Sequence, residues 1–158
     1  MPDDSKAAHD SISYFVTVRT FNCRSVFADP ENAATLVDVI DEARRRVGFK
    51  NYAYAVLPDH YHVLLGGGAD SRVVADAILA INRAVEGLLE LPDNGQPLWD
   101  DEADVLVIYS VRLRFEKLNY IHNKPVLCGI VEKPQDYAFS SASFYYKHYG
   151  KTEFGGHE

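Results

Sequence analysis

The sequence is poor in cysteine and lacks any long apolar stretch. Its two cysteines, Cys23 and Cys128, are too few for a disulfide framework. No run of about 18 or more apolar residues occurs, so we predict no membrane-spanning segment. The N-terminal residues are polar and acidic, which is unlike a signal peptide. These absences predict a cytoplasmic protein that does not bind membranes.

Positive charge is also scarce. The chain has 16 Lys and Arg against 23 Asp and Glu, which gives a formal net charge of −7. A protein that binds nucleic acid through charge alone would have the opposite sign. The excess of acid is confined to residues 1–110, with 9 basic and 18 acidic side chains, whereas residues 111–158 have 7 and 5. Only the C-terminal part therefore suits an anionic partner.

The apolar residues, which make up 47% of the composition with the tyrosines included, are arranged with clear periodicity. Alternation predicts strands at residues 13–20, 52–57, 60–66 and 105–109. Helical spacing predicts a helix from the cap Asp29 to about Val47, a second from the cap Ser71 to about Leu89, and a third at residues 111–122. The first two helices should bury one stripe each, formed by Leu36, Val39, Ile40 and Ala43 and by Val74, Ile78, Ile81 and Val85.

This order of elements is β-α-β-β-α-β followed by one further helix. It predicts an α+β fold, a ferredoxin-like (RRM-like) sandwich with a four-stranded antiparallel sheet, and the added helix would hold Tyr120 over that sheet. By length the chain is predicted to form one domain over residues 1–158. We expect the core to span about residues 12–149, with flexible segments at 1–11 and 150–158.

Two histidines stand at the start of the predicted strand 60–66, directly after the turn residues Pro58 and Asp59. Residues two apart on a strand project from the same face, so the imidazoles of His60 and His62 should lie about 6–7 Å apart and could bind one divalent ion. Tyr61 should point into the core instead. A His-x-His pair is a weak signal by itself, but a polar pair opening a buried strand calls for a reason. A metal ion and a tyrosine nucleophile together suit phosphodiester cleavage.

Two segments carry a resemblance to a known family. The run Leu57-Pro-Asp-His-Tyr-His-Val-Leu-Leu65 resembles the His-hydrophobic-His motif of the HUH endonucleases. The run Tyr120-Ile-His-Asn-Lys-Pro-Val126 resembles the nucleophile segment of the single-tyrosine transposases, especially the REP-associated tyrosine transposase group. Further matches follow in the same order at residues 14–21, 26–27, 96–99 and 131–141. The resemblance spans about residues 12–149.

The resemblance implies a metal-dependent single-strand DNA endonuclease and strand transferase. Tyr120 would be the catalytic nucleophile that forms a 5′-phosphotyrosine link, and His60 and His62 would bind Mg²⁺ or Mn²⁺. The implied substrate is single-stranded or hairpin DNA at a repeat. With one such tyrosine per chain, a full excision would need a homodimer or two sequential cuts, and the sequence does not decide between these.

The position four residues after the tyrosine departs from the family pattern, because it often holds a Gln or Asn ligand in related transposases and here holds Lys124. Asn123 or His122 could supply the third metal ligand if the helix unwinds near Pro125, and water could fill the other positions. Asp59 is nearby, but on a turn we expect it to bond the local backbone.

Four basic residues in the C-terminal part are candidates for phosphate contacts, and each is as well explained by a solvated helix face. They are Arg112, Arg114, Lys117 and Lys124. The acidic cluster at residues 100–104, directly after Trp99, conflicts with the family's mode of DNA binding.

Two other functions fit the same residues. The chain could be a domesticated relative that recognises structured DNA without cleaving it, which Lys124 and the acidic charge favour. It could also be a metal-dependent phosphoesterase that uses water, in which case no protein–DNA adduct would form. Loss of activity in Tyr120→Phe would argue against the phosphoesterase, and metal-dependent cleavage by the wild type would exclude the pure binder.

Overall fold

The computed structural model describes residues 12–67, 70–91 and 95–155. The strands in this part of the chain are β1 (Ser13–Arg19), β2 (Lys50–Leu57), β3 (His60–Gly66) and β4 (Asp104–Ile108). The helices are α1 (Pro30–Ala43), α2 (Arg72–Leu88), α3 (Val111–Leu127) and α4 (Ala142–Tyr149). The N-terminal segment 1–11, predicted to be flexible, and residues 156–158 lie outside the described residues.

The strands form one antiparallel sheet in the order β2-β3-β1-β4. This order, with α1 and α2 as the connections, is the ferredoxin-like arrangement predicted from the sequence. β1 and β3 are the central strands, and their register places Thr17 opposite His62 and Arg19 opposite His60. On its other side β1 pairs with the edge strand β4, where Asp104 lies opposite Thr17.

Helices α1 and α2 cover one face of the sheet. The core between them contains Tyr61 and Val63 of β3, as the alternation along that strand predicts. Burying each large aliphatic side chain contributes about 1.5–3 kcal/mol, so this layer accounts for much of the stability. The predicted stripes are buried apart from Ile78, which is partly buried; the buried members are Leu36, Val39, Ile40, Ala43, Val74, Ile81 and Val85.

The starts of the two helices differ in how well the sequence predicted them. Asp29 caps α1 by accepting a hydrogen bond from the Glu31 backbone N–H at 2.9 Å. Ser71 does not cap α2, because its backbone is already helical and its side chain makes no capping bond. The carboxylate of Asp70, one residue earlier, accepts from the Arg72 N–H at 3.0 Å instead.

Helix α3 lies across the opposite face of the sheet. Leu118 and Ile121 pack against Ala55 and Leu57 of β2 and Leu64 of β3. The helix begins at Ser110, whose hydroxyl accepts from the Leu113 N–H at 3.1 Å. One face of the sheet is therefore closed by two helices, and the other is partly covered by α3 and by Tyr145 of α4, which leaves most of β4 and part of β1 accessible.

The C-terminal boundary of α3 corrects the prediction. We expected the helix to end near His122 ahead of Pro125, but it continues to Leu127 with Pro125 inside it. Proline lacks an N–H, which removes one helical hydrogen bond, yet Pro125 is buried and the last turn is retained through the bond from Cys128 N–H to Lys124 C=O at 2.9 Å. Asn123 and Lys124 consequently keep helical positions.

Residues 150–155 make specific contacts that the sequence did not predict. Asn119 of α3 exchanges two hydrogen bonds of 2.8 Å with the backbone of Phe154. The Phe154 ring also lies edge-on to Tyr145 at 5.2 Å between centroids. No helix among the described residues combines the length and apolar character needed to cross a membrane.

Candidate active site between the sheet and helix α3

His60 and His62 lie on the face of β3 that is turned toward α3. Their ring centroids are 4.7 Å apart, which is closer than strand spacing alone predicts. The two rings meet edge to face, with 79° between their planes. His62 is buried, with 4% of its surface exposed, and His60 is half-buried. The two imidazoles are therefore close enough for one ion to contact both.

Each imidazole has a partner on Nδ1, which leaves Nε2 directed elsewhere. The His60 Nδ1–H donates to the Asp59 carboxylate at 2.7 Å, so Asp59 binds a side chain and not the local backbone we expected. His62 Nδ1 lies 2.9 Å from the Thr17 hydroxyl. The Nε2 atom of His62 is buried and has no hydrogen-bond partner in the described part of the chain. A buried polar atom without a partner is costly, and a bound ligand would satisfy it.

Burial keeps both imidazoles neutral. Burial lowers the pKa of His60 from its ordinary 6.5, although the Asp59 carboxylate opposes that shift. Burial also lowers the pKa of His62 to about 3, and the positive charges of Lys124 and Arg19, with that of His60 when it is protonated, add to the effect. Only a neutral imidazole can donate its lone pair to a metal ion, so the pair meets this condition at neutral pH.

Tyr120 extends from α3 over the histidine pair. Its ring meets that of His62 edge to face at 5.8 Å between centroids, and Phe15 of β1 contacts both rings. Tyr120 retains 39% of its surface exposed and lines the open pocket that contains both histidines. The structure thus brings the predicted nucleophile and the predicted ligands together from two distant segments.

The four basic candidates occupy different surroundings. Lys124 lines the same pocket as the histidine pair, and its Nζ donates to the Tyr120 hydroxyl at 3.3 Å. Lys117 lies over the Phe15 ring at 5.6 Å from its centroid. Arg114 packs on the ring of Tyr52, away from the pocket, and exposed Arg112 faces Glu116 at 3.9 Å.

His122 and Asn123, considered as third metal ligands, lie outside the site. His122 is fully buried on the other side of α3, where Nδ1–H donates to the Thr152 carbonyl and Nε2 lies 2.8 Å from the Ser141 hydroxyl. The Asn123 amide donates to the Asn119 carbonyl and to Glu153. Because α3 does not unwind at Pro125, neither side chain can turn toward the histidine pair without breaking these bonds.

An open pocket of about 640 Å³ contains these groups. Its rim holds Arg19 and Asp104, which form an ion pair of 2.5 Å between β1 and β4. One member of the acidic cluster at residues 100–104 therefore neutralises a cation beside the site. No group of three or more His, Cys, Asp or Glu able to hold a metal ion occurs among the described residues. A metal ion here would take two imidazoles and fill its other positions with water or substrate oxygens.

Sequence reasoning missed three residues of β1 that build the site. Phe15, Thr17 and Arg19 line the pocket, and the period of a strand alone would have placed them on one face. The sequence alone did not predict that β1 pairs with β3. It therefore did not predict the register that places Thr17 and Arg19 opposite the two histidines.

No protein-family model and no curated protein matches this chain. Two solved structures are similar to it. A REP-associated tyrosine transposase bound to a REP hairpin is 22% identical, with a TM-score of 0.68, and the match covers 92% of this chain and 86% of that chain. A protein from Deinococcus radiodurans R1 assigned as a transposase is 26% identical, with a TM-score of 0.53, and the match covers 71% of this chain and 89% of that chain. The resemblance expected from the sequence is thus confirmed at the level of the fold.

Proposed function

We propose that this chain, which has the fold of a REP-associated tyrosine transposase, cleaves single-stranded DNA with Tyr120 as the nucleophile and transfers the cut strand. The observation that carries the proposal is the position of Tyr120, which lies accessible in one pocket with two neutral imidazoles. A tyrosine held only for packing would have no need of such neighbours.

The proposed reaction is a transesterification. The phenolic oxygen of Tyr120 attacks the scissile phosphorus, the bond from phosphorus to the 3′ oxygen breaks, and water carries the phenolic proton to the departing 3′ oxygen. The products are a 5′-phosphotyrosine and a free 3′-hydroxyl. Because one phosphoester replaces another, a 3′-hydroxyl can attack the link and rejoin a strand without an external energy source.

The histidine pair fits a divalent cation, for which we propose Mg²⁺ or Mn²⁺. His60 and His62 would bind it through Nε2, since Asp59 and Thr17 occupy the two Nδ1 atoms. This pattern, in which a second residue orients each ligating imidazole, is common around metal ions. When bound, the ion would supply Lewis-acid stabilisation of the charge that develops on the phosphate.

The proposed substrate is single-stranded or hairpin DNA. The similar transposase is bound to a REP hairpin, and the open pocket of this chain could admit a phosphodiester backbone. Lys117 and Lys124 flank the aromatic residues of the site and would contact phosphates, with exposed Arg112 further along α3. Arg114 is a weaker candidate because its guanidinium is stacked on Tyr52.

A second candidate function is recognition of structured DNA without cleavage. One observation favours it: the described residues hold no group of three or more His, Cys, Asp or Glu that could bind a metal ion. The phosphoesterase that uses water has less support, because it gives no role to Tyr120, whose ring lies 5.8 Å from that of His62 in the same pocket.

A cleavage assay separates these functions. Purified protein would be incubated with hairpin oligonucleotides labelled at the 5′ or the 3′ end, with Mn²⁺, Mg²⁺ or a chelator, and resolved on a denaturing gel. The proposal predicts a metal-dependent cut and a 3′-end label that migrates with the protein, both lost in Tyr120→Phe. Binding without a cut would support the recognition function, and a cut without an adduct would support the phosphoesterase.

A further inference from the structure

Lys124 is directed at the reactive atom of the proposed nucleophile. It lies one helical turn after Tyr120 on α3, so both side chains project from the same face. The Lys124 Nζ is 3.3 Å from the Tyr120 hydroxyl oxygen and 5.5 Å from the centre of its ring. Lys124 also lines the pocket that contains His60 and His62.

Within the described part of the chain, no ion pair neutralises the charge of Lys124. No carboxylate forms an ion pair with it in the described residues, whereas the other cation lining the pocket, Arg19, is paired with Asp104. A cation that is partly buried without a counter-ion is unfavourable unless an anion arrives, and a phosphate is such an anion. Of the described residues that line the pocket, Lys124 is therefore the cation available to a substrate, next to the hydroxyl that would attack it.

We propose that Lys124 is a catalytic residue whose ammonium contacts both the Tyr120 oxygen and a non-bridging oxygen of the scissile phosphate in the transition state. This inference rests on the proposed function and deepens it. It assigns to Lys124 a stabilising charge that complements the two-histidine site, in a chain that offers no third metal ligand among its described residues.

The charge of Lys124 would act on both cleavage and rejoining. In cleavage, the Tyr120 oxygen forms its bond to phosphorus, the 3′ oxygen leaves with the bonding electrons, and water carries the phenolic proton to that oxygen. In rejoining, the same bonds form and break in reverse, and the Tyr120 oxygen is the leaving group. Lys124 keeps its protons throughout. A charge that stabilises the shared transition state must accelerate both directions.

The test compares Lys124→Met with Lys124→Arg, with wild type, and with Lys147→Met as a matched control. Lys147 is an exposed lysine on α4 that does not line the pocket, so this control removes the same charge elsewhere. Single-turnover cleavage would be measured at saturating hairpin DNA, and rejoining would be measured by adding a 3′-hydroxyl strand to the isolated adduct. DNA affinity and calorimetric Mn²⁺ affinity would be measured separately.

We expect Lys124→Met to slow cleavage and rejoining by a similar factor, on the order of 100-fold. Lys124→Arg should recover part of both rates because it restores the charge. Mn²⁺ affinity should change little, DNA affinity should fall by no more than about fivefold because one phosphate contact is lost, and Lys147→Met should match wild type. Unaltered single-turnover rates in Lys124→Met would overturn the inference, as would a loss confined to DNA affinity. A wild-type protein that forms no adduct would overturn the proposed function and this inference together.

Discussion

The ring of Tyr120 meets the ring of His62 edge to face, with 5.8 Å between their centroids. Phe15 stacks on His62 at 5.2 Å and meets Tyr120 at 5.9 Å, so three aromatic rings from α3, β3 and β1 form one cluster. This cluster sets the distance between the proposed nucleophile and the proposed metal ligands. The chemistry of the site therefore depends on how α3 packs on the sheet.

The first prediction concerns Thr17→Val, which removes a hydroxyl while keeping the side-chain shape. His62 loses the partner of its Nδ1 atom, so we expect Mn²⁺ affinity to fall about 10- to 100-fold. The free energy of unfolding should fall by about 1–3 kcal/mol, because a buried nitrogen is left without a partner. Calorimetric titration and urea denaturation measure the two effects.

The matched control for this change is Thr17→Ser, which keeps the hydroxyl and should retain most of the Mn²⁺ affinity. If Thr17→Val bound Mn²⁺ as tightly as wild type, the Thr17 hydroxyl would have no part in orienting His62.

The second prediction concerns the acidic rim. Asp104→Asn removes the negative charge that pairs with Arg19 and leaves an additional cation at the pocket. Because exposed ion pairs contribute about 0–1 kcal/mol, we expect affinity for single-stranded DNA to rise by up to about fivefold. The affinity should also depend more steeply on salt, since more phosphate contacts form. Fluorescence anisotropy across a series of KCl concentrations measures both.

Asp38→Asn serves as the control for Asp104→Asn. Asp38 is exposed on α1, on the opposite face of the sheet, so its loss changes the net charge equally without altering the pocket. An equal rise in DNA affinity in both variants would show that only net charge matters.

The third prediction concerns the pH dependence of stability. Burial lowers the pKa of His122 from 6.5, although its bond to the Thr152 carbonyl opposes the shift. The unfolded chain therefore binds a proton more readily than the folded one, and stability is lost as the pH falls below about 6.5. We expect wild type to lose up to about 1.4 kcal/mol per pH unit relative to His122→Gln over that range.

Urea denaturation of both proteins from about pH 7.5 to about pH 5 tests this dependence. At the upper end His122→Gln should be the less stable protein, because the residue joins α3 to Ser141 and Thr152. Curves that stay parallel over the whole range would contradict the assignment of a lowered pKa to His122.

Much of the fold follows from local patterns. The alternation of β1 and β3 and the stripes of α1 and α2 predict the four-stranded sheet, because each pattern is decided by neighbouring residues. The position of His60 and His62 on the same face of β3 also follows from a local pattern, because residues two apart on a strand share a face. Placing Tyr120 over them required the resemblance to known transposases, since nine other tyrosines occur in the chain.

The remaining features depend on contacts between distant segments. The register of β1 against β3 places Thr17 beside His62, and no local sequence pattern predicts this contact. Pro125 continues α3 because tertiary packing buries it and outweighs the lost hydrogen bond. Because α3 continues, Asn123 stays away from the histidine pair and bonds Glu153, while Lys124 lies beside the Tyr120 hydroxyl. No local sequence pattern predicts either contact.

The proposed reaction requires a covalent bond between Tyr120 and DNA. The most direct measurement is tandem mass spectrometry of the protein after incubation with Mn²⁺ and a hairpin oligonucleotide, followed by nuclease and protease digestion. We expect a nucleotide 5′-phosphate on Tyr120 in the wild type and none in Tyr120→Phe. A nucleotide on another exposed tyrosine such as Tyr109, or cleaved DNA with no modified tyrosine, would contradict it.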